Sequence, residues 1–228
     1  WLGLVIDEEY SSIGADALAG SATPMPTVLV EPTDLRACIA HKGFAWLTVT
    51  TEGQAAHGSL TGQGVDAIAH MGRLLGEMES WAKGVFAAQI DPLLGPASAH
   101  ASLISGGLGW STFPGQCALK AEHRLLPGQT ASDALALWND AIARQSAADP
   151  RFIARVALEM YRPGYRIAED APITAALLAA VNAVMGAPAP IGGIPAWMDS
   201  AVLSAAGFPT IIYGPSGAGA HAATEYGE

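Results

Sequence analysis

Short apolar runs that stop at charged residues alternate along this chain with longer segments whose apolar positions recur at helical spacing. Residues 2–6 are apolar and stop at Asp7-Glu8-Glu9. Val28-Leu29-Val30 stops at Glu31, and the Pro32 that follows ends strand pairing. Residues 209–213 form a third run, which leads into a Gly-rich loop and His221. A buried strand that ends at a site has this form, because the chain leaves the core and delivers polar groups at its carboxyl end. Residues 13–18 predict a short helix between the first two runs. Strand, turn, helix and strand in that order predict a mostly parallel sheet with helical crossovers.

The pattern changes around residues 38–43. Residues 44–51 alternate as a strand, with Ala45, Leu47 and Val49 on one face. After Gly62 and Gly64, Val65, Ile68, Met71, Leu74, Leu75 and Met78 form one stripe with a period near 3.6. Residues 97–104 and 116–125 read as two strands. Ala134, Leu135, Trp138, Ala141 and Ile142 stripe a second helix, and residues 152–160 alternate as a last strand. Strand, helix, strand, strand, helix, strand is the ferredoxin-like order, with one open sheet face. Pro163 and Gly164 mark its exit. The expected organisation is one discontinuous α/β domain, residues 1–40 and 164–228, interrupted by residues 41–163. In the returning part, Asp170 is expected to cap a helix with Pro172 in its first turn. Residues 173–184 are apolar almost all round, which predicts a buried helix. Residues 200–206 predict another, ended by Gly207.

Composition adds exclusions. Half of the 228 residues are hydrophobic and 14% are charged, as in an ordinary globular enzyme. A net charge of −10 supplies no basic patch for nucleic acid. No apolar run approaches the length of a membrane span, and no signal peptide is evident, so the expected location is cytoplasmic. The chain starts at Trp1 without Met, so an upstream part would carry any signal. Cys38 and Cys117 lack metal-ligand spacing and are expected as buried thiols.

Three consecutive carboxylates repel unless a cation or solvent offsets them. Hard carboxylates and an imidazole at long spacing suit zinc or a similar hydrolytic metal. Each group also has a plainer reading. Asp7-Glu8-Glu9 makes a solvated acidic turn, Glu31 caps a backbone amide, and His57 and His221 are loop histidines. Arg124, alternating with Lys120 and Glu122, belongs to a solvated sheet face. His41, His70, His100 and His123 have no partner at ligand spacing. Asp199 either lies near a substrate loop or caps the helix after it.

Taken together, Asp7-Glu8-Glu9, Glu31-Pro32-Thr33, Gly53-Gln54-Ala55-Ala56-His57-Gly58-Ser59, Arg124-Leu125-Leu126-Pro127-Gly128, and Gly214-Pro215 through His221 to Glu225 follow one another in a specific order. In this the chain resembles the dinuclear-zinc amidohydrolases and metallopeptidases that include acetylornithine deacetylase, succinyl-diaminopimelate desuccinylase, aminoacylase and glutamate carboxypeptidase. The resemblance implies a zinc-peptidase-like α/β catalytic domain, with a mixed, mostly parallel sheet and an inserted ferredoxin-like α+β lid and dimerisation domain. It implies metal-dependent hydrolysis of the amide bond of N-acyl amino acids or small peptides. Glu8 would be general base to metal-activated water. Glu9 and His221 would hold one zinc and Glu31 the other, with cobalt as a substitute. Glu225 would orient an imidazole. His57 would reach the neighbouring subunit's site and polarise the scissile carbonyl, which requires a homodimer through the lid. Arg124 would bind the substrate's carboxylate.

The chain also departs from that family. The upstream His-x-Asp motif and the later Asp motif, which complete the metal site, are not among these residues, so the expectation is a fragment with weak metal binding. Ser111 stands where the family usually has Asn. A non-catalytic dimerisation or binding module, keeping the fold without a complete metal site, is the alternative.

Overall fold

A computed structural model describes residues 1–218, 223–224 and 226–227. In chain order the elements are α1 (Ile13–Ser21), β1 (Thr27–Leu29), β2 (Ala37–His41), β3 (Gly43–Glu52), α2 (Ala67–Trp81), β4 (Ile90–Asp91), β5 (Gly95–Pro96), β6 (Ser98–Gly106) and β7 (Gln116–Leu125). They continue with α3 (Ala131–Ala148), β8 (Ile153–Arg162), β9 (Tyr165–Arg166), α4 (Pro172–Met185), β10 (Ile191–Ile194), α5 (Ser200–Ala205), β11 (Thr210–Ile212), β12 (Gly217–Ala218) and β13 (Tyr226–Gly227). The chain divides into two compact units. The first comprises Trp1–Gly43, Pro92–Gly95 and Pro163–Glu228; the second comprises Phe44–Asp91 and Pro96–Arg162.

The first unit is built on a mixed sheet in the order β1-β11-β2-β10, with β9 also paired to β2. β1 with β11 and β10 with β2 are parallel; β11 with β2 and β9 with β2 are antiparallel. β2 is buried along its whole length, as a central strand covered on both faces must be. It was missed in the sequence because Ala37-Cys38-Ile39-Ala40-His41 carries no alternation. β10 was missed because its two glycines, Gly192 and Gly193, read as a loop. Residues 2–6, by contrast, are not a strand: Leu2, Leu4 and Ile6 are exposed and, among the described residues, pair with no neighbouring strand. Apolar character alone cannot make a strand where no partner supplies hydrogen bonds.

α4 corrects two expectations. Its N-cap is Ala171, not Asp170, with Pro172 in the first turn as expected. It is also not buried all round. Ile173, Leu177, Leu178 and Val181 pack on the cluster of Ala37, Ile39, Ala189 and Ile211, while Val184 and Met185 stay exposed. A helix on one face of a sheet has one contact stripe, whatever its composition. Gly186 ends it in the left-handed conformation, φ 77°.

In the second unit the elements run β3, α2, β6, β7, α3, β8 and the sheet order is β6-β7-β3-β8, the ferredoxin-like arrangement. β7 alternates strictly, with Cys117, Leu119, Ala121, His123 and Leu125 buried and Lys120 exposed on the other face. Those inward residues meet α2 and α3. α2 turns its face slightly from the expected stripe: Ala67, His70, Met71 and Leu74 are buried and Ile68 is exposed. The cause is its start, since Asp66 accepts from the Ala69 N–H at 2.9 Å and Val65 lies outside the helix. α3 begins with a capping box between Thr130 and Asp133 and buries Ala134, Trp138 and Ala141. Cys38 and Cys117 are free and buried.

Candidate active site

Asp7 sets up the acidic turn. It sits at φ 67°, where a short polar side chain is tolerated, and its carbonyl accepts the N–H groups of Tyr10, Ser11 and Ser12. The Ser11 hydroxyl donates to its carboxylate, which lowers the Asp7 pKa. Asp7 is therefore engaged in closing the turn. Glu8 is half-buried and Glu9 exposed in the residues it carries. The turn lies close against the start of α1. A Cβ on Gly14 would meet the Ile6 nitrogen at 2.4 Å and its carbonyl oxygen at 2.7 Å, so only glycine fits there.

Glu31 follows β1, which pairs with β11, so its loop lies beside the segment after β11. Gly214 N–H donates to the Thr33 hydroxyl at 3.0 Å, and Leu35 N–H donates to the Gly214 carbonyl at 3.1 Å. The Ser216 hydroxyl donates to Asp34 at 2.7 Å. A Cβ on Gly214 would lie 2.2 Å from the Glu31 carbonyl oxygen. The loop that carries Glu31 and the one that leads towards His221 are thus stitched together. His221 and Glu225 themselves lie outside the described residues.

The first unit gathers negative charge here. Burial, then the charges of Glu8, Asp199 and Glu9, push Glu31 up to about 7. The three expected residues Glu8, Glu9 and Glu31 therefore share one electrostatic neighbourhood. Asp199 joins them, although the sequence left its role open. It occupies the N-cap position of α5 without a side-chain capping bond, and it is 1% exposed. Its place shortly after Gly192-Gly193-Ile194-Pro195 was the available signal. Behind it, Trp197 donates to the Pro163 carbonyl at 3.1 Å and meets His41 edge-on at 6.1 Å. Burial pushes His41 down to about 4 against the carbonyls of Lys42 and Met198, so it is a neutral packing group.

His57 and Arg124 belong to the second unit. His57 lies past the end of β3, bridged to Thr112, and is exposed. Its Nδ1 receives the Ser59 N–H at 3.3 Å and lies 2.8 Å from the Ser59 hydroxyl. Arg124 lies on the open sheet face. Its Nε is 2.7 Å from Glu122, and its guanidinium sits 5.8 Å from the Phe44 ring centre. His100 pairs with the same Glu122 at 3.5 Å. His70 and His123 are core groups, stacked on Phe152 and bonded to Trp138 respectively.

The donors suit a divalent cation in kind. They are carboxylates whose repulsion a cation would offset, and Glu31 already registers that repulsion. Among the described residues, no group of three or more His, Cys, Asp or Glu stands close enough to hold a metal. Also among them, no helix is long and apolar enough to cross a membrane.

Residues 39–150 match the peptidase dimerisation domain of the M20 type. Acetylornithine deacetylase of Erwinia tasmaniensis is 30% identical over 169 residues, 70% of this chain and 43% of that protein. The Edwardsiella ictaluri enzyme of the same name is 29% identical over 178 residues, 75% of this chain and 46% of its own length. The chain thus spans less than half the length of these curated relatives. Aminopeptidase PepT from Bacillus cereus superposes with a TM-score of 0.80 at 19% identity, covering 97% of this chain and 57% of that one. A tripeptidase from Staphylococcus aureus gives 0.81 at 19%, with the same coverage. At that identity the likeness concerns the fold. It is the expected α/β fold, with a mixed sheet and an inserted ferredoxin-like unit.

Proposed function

The chain belongs to the M20 peptidase family, and from that premise we propose metal-dependent hydrolysis of the amide bond of N-acyl amino acids or small peptides. The observation that carries this reading is the gathering of Glu8, Glu9 and Asp199 around Glu31, whose burial, with those charges added, pushes it up to about 7. Glu9, with His221 outside the described residues, would hold one cation and Glu31 the other, both zinc in the resembled family. When bound, the cation activates water and polarises the amide carbonyl.

Glu8 is the general base. As the water oxygen adds to the amide carbon, its carboxylate takes the proton, and that proton passes to the leaving amine as the C–N bond breaks. Glu8 suits this role because its half-buried carboxylate lies in the electrostatic neighbourhood of Glu31. His57 donates its ring N–H to the developing oxyanion of the neighbouring subunit's site. Arg124 receives the substrate's carboxylate, which its planar guanidinium matches, in exchange for part of its bond to Glu122.

Reach into a neighbour requires a homodimer, and the second unit has a surface for one. β6 is an edge strand with Leu103 and Ile104 exposed, and a hollow of about 560 Å³ lies beside it, lined by Leu75, Met78 and Phe86. An uncovered apolar edge is a template for pairing with a second copy.

The test is metal content with turnover. The natural protein is expected to purify with metal, to lose it in Glu9→Ala, and to hydrolyse members of a panel of N-acyl amino acids and dipeptides. Glu8→Gln should keep the metal and lose at least ~100-fold in kcat, as removal of a general base does. No bound metal, and no gain on adding zinc or cobalt, would leave a dimerisation module instead.

A further inference from the structure

We propose that Ser59 is a positioning residue that sets the tautomer of His57, leaving the single proton of the neutral ring on Nε2. The inference deepens the role given to His57 above and rests on that reading.

The backbone around His57 is held from one side. Gly53 N–H donates to the Gly115 carbonyl at 2.9 Å, Phe113 N–H to the Ala56 carbonyl at 2.8 Å, and Gly58 N–H to the Ser111 carbonyl at 2.8 Å. Leu60 N–H closes a turn on the His57 carbonyl at 2.8 Å. Two glycines make the approach possible: a Cβ on Gly53 would lie 2.2 Å from the Val65 carbonyl oxygen, and one on Gly64 would enter the Phe113 ring. The turn brings the Ser59 N–H to 3.3 Å from Nδ1 and its hydroxyl to 2.8 Å.

A backbone N–H can only donate, so the long 3.3 Å contact favours an accepting Nδ1, and the shorter 2.8 Å hydroxyl contact adds the stronger part of that preference. The neutral ring then carries its proton on Nε2. The hydroxyl, facing a nitrogen without a proton, donates as well. The opposite tautomer would set two N–H groups against each other and turn the Nε2 lone pair outward. Only Nε2–H can donate to an oxyanion; a lone pair there would repel it. His57 is exposed and, among the described residues, has no hydrogen bond at Nε2, so that proton is available to a ligand.

Nitrogen-15 NMR of the histidine-labelled protein, above the pH where imidazole titrates, tests this directly. His57 is identified by the signals that vanish in His57→Gln. The expected spectrum has an unprotonated Nδ1 and a protonated Nε2. In Ser59→Ala, which keeps the N–H and loses the hydroxyl, the two shifts should move towards each other, and Ser59→Thr should restore them. A wild-type proton on Nδ1, or shifts unmoved in Ser59→Ala, overturns the inference. In turnover, Ser59→Ala should lower kcat about tenfold with KM little changed, the scale of an orienting partner. A moved tautomer with unchanged kcat overturns the positioning role and leaves the hydrolase reading standing. The NMR result does not depend on turnover, so failure to hydrolyse any substrate would remove that reading while the spectrum still decides Ser59.

Discussion

Among single residues, His123 shows how burial converts a titratable group into a stability switch. It is 1% exposed in the core of the second unit, and its Nε2 accepts the Trp138 indole N–H at 2.9 Å. Burial, helped by the charge of His100, pushes it from an ordinary 6.5 down to about 4. Above pH 6.5 both folded and unfolded chains hold it neutral. Between 6.5 and 4 the unfolded chain takes up a proton that the folded one refuses, so stability falls as pH falls. The full loss below about pH 4 is roughly 3 kcal/mol. His41 acts in the same direction and window in the first unit. The melting temperature is therefore expected to drop between pH 7 and pH 5. His123→Phe should lower it at pH 7, because Trp138 loses its acceptor, but should flatten the pH slope. A slope unchanged by the substitution would show that His123 is not the linked group.

For whole elements, the decisive feature is how tightly α1 approaches the acidic turn. Ile13–Ser21 would form a helix with Ala at position 14 as readily as with Gly, since Ala is the better helix former. The tertiary contact requires glycine instead, because the Ile6 backbone occupies the space of a Cβ. Gly14→Ala is thus expected to keep its helical circular dichroism and to displace the Glu8-Glu9 turn, at a cost of about 1–3 kcal/mol in stability. Turnover should fall more steeply than the melting temperature. An active variant with unchanged metal content would show that the turn position is not critical. The general point is that helix propensity and site geometry pull in opposite directions at this residue, and the contact decides.

In the molecule as a whole, the second unit presents an uncovered sheet edge. β6 exposes Leu103 and Ile104 beside an apolar hollow against α2. A dimer through this edge is expected to give twice the chain mass in light scattering. The double substitution Leu103→Glu and Ile104→Lys should shift it to the monomer, since charge on an edge strand blocks pairing. If His57 acts across the subunits, the monomer should also lose turnover while keeping its metal. A dimer that survives the substitution would place the interface elsewhere.

How much of this was legible in advance depended on whether local pattern or long-range contact governed each part. The alternating strand β3, the striped helices α2 and α3, and the order of six elements in the second unit were readable, because period and turn chemistry are local. Glu8, Glu9, Glu31, His57 and Arg124 entered as candidates through the family resemblance their motifs carry. β2 and β10 were hidden. A fully buried strand has no alternation, and two glycines mimic a loop until a neighbouring strand supplies their hydrogen bonds. Residues 2–6 erred in the opposite direction, being strand-like in composition but, among the described residues, without a strand to pair with. The sequence by itself thus determined the elements whose period is local and nominated the groups that could carry chemistry. Only the tertiary structure decided that Asp199 lies near Glu31, that Gly14 and Gly214 hold the acidic loops in close contact, and that Ser59 faces Nδ1 of His57. Each of these is a spatial relation between groups, whose geometry no local pattern encodes.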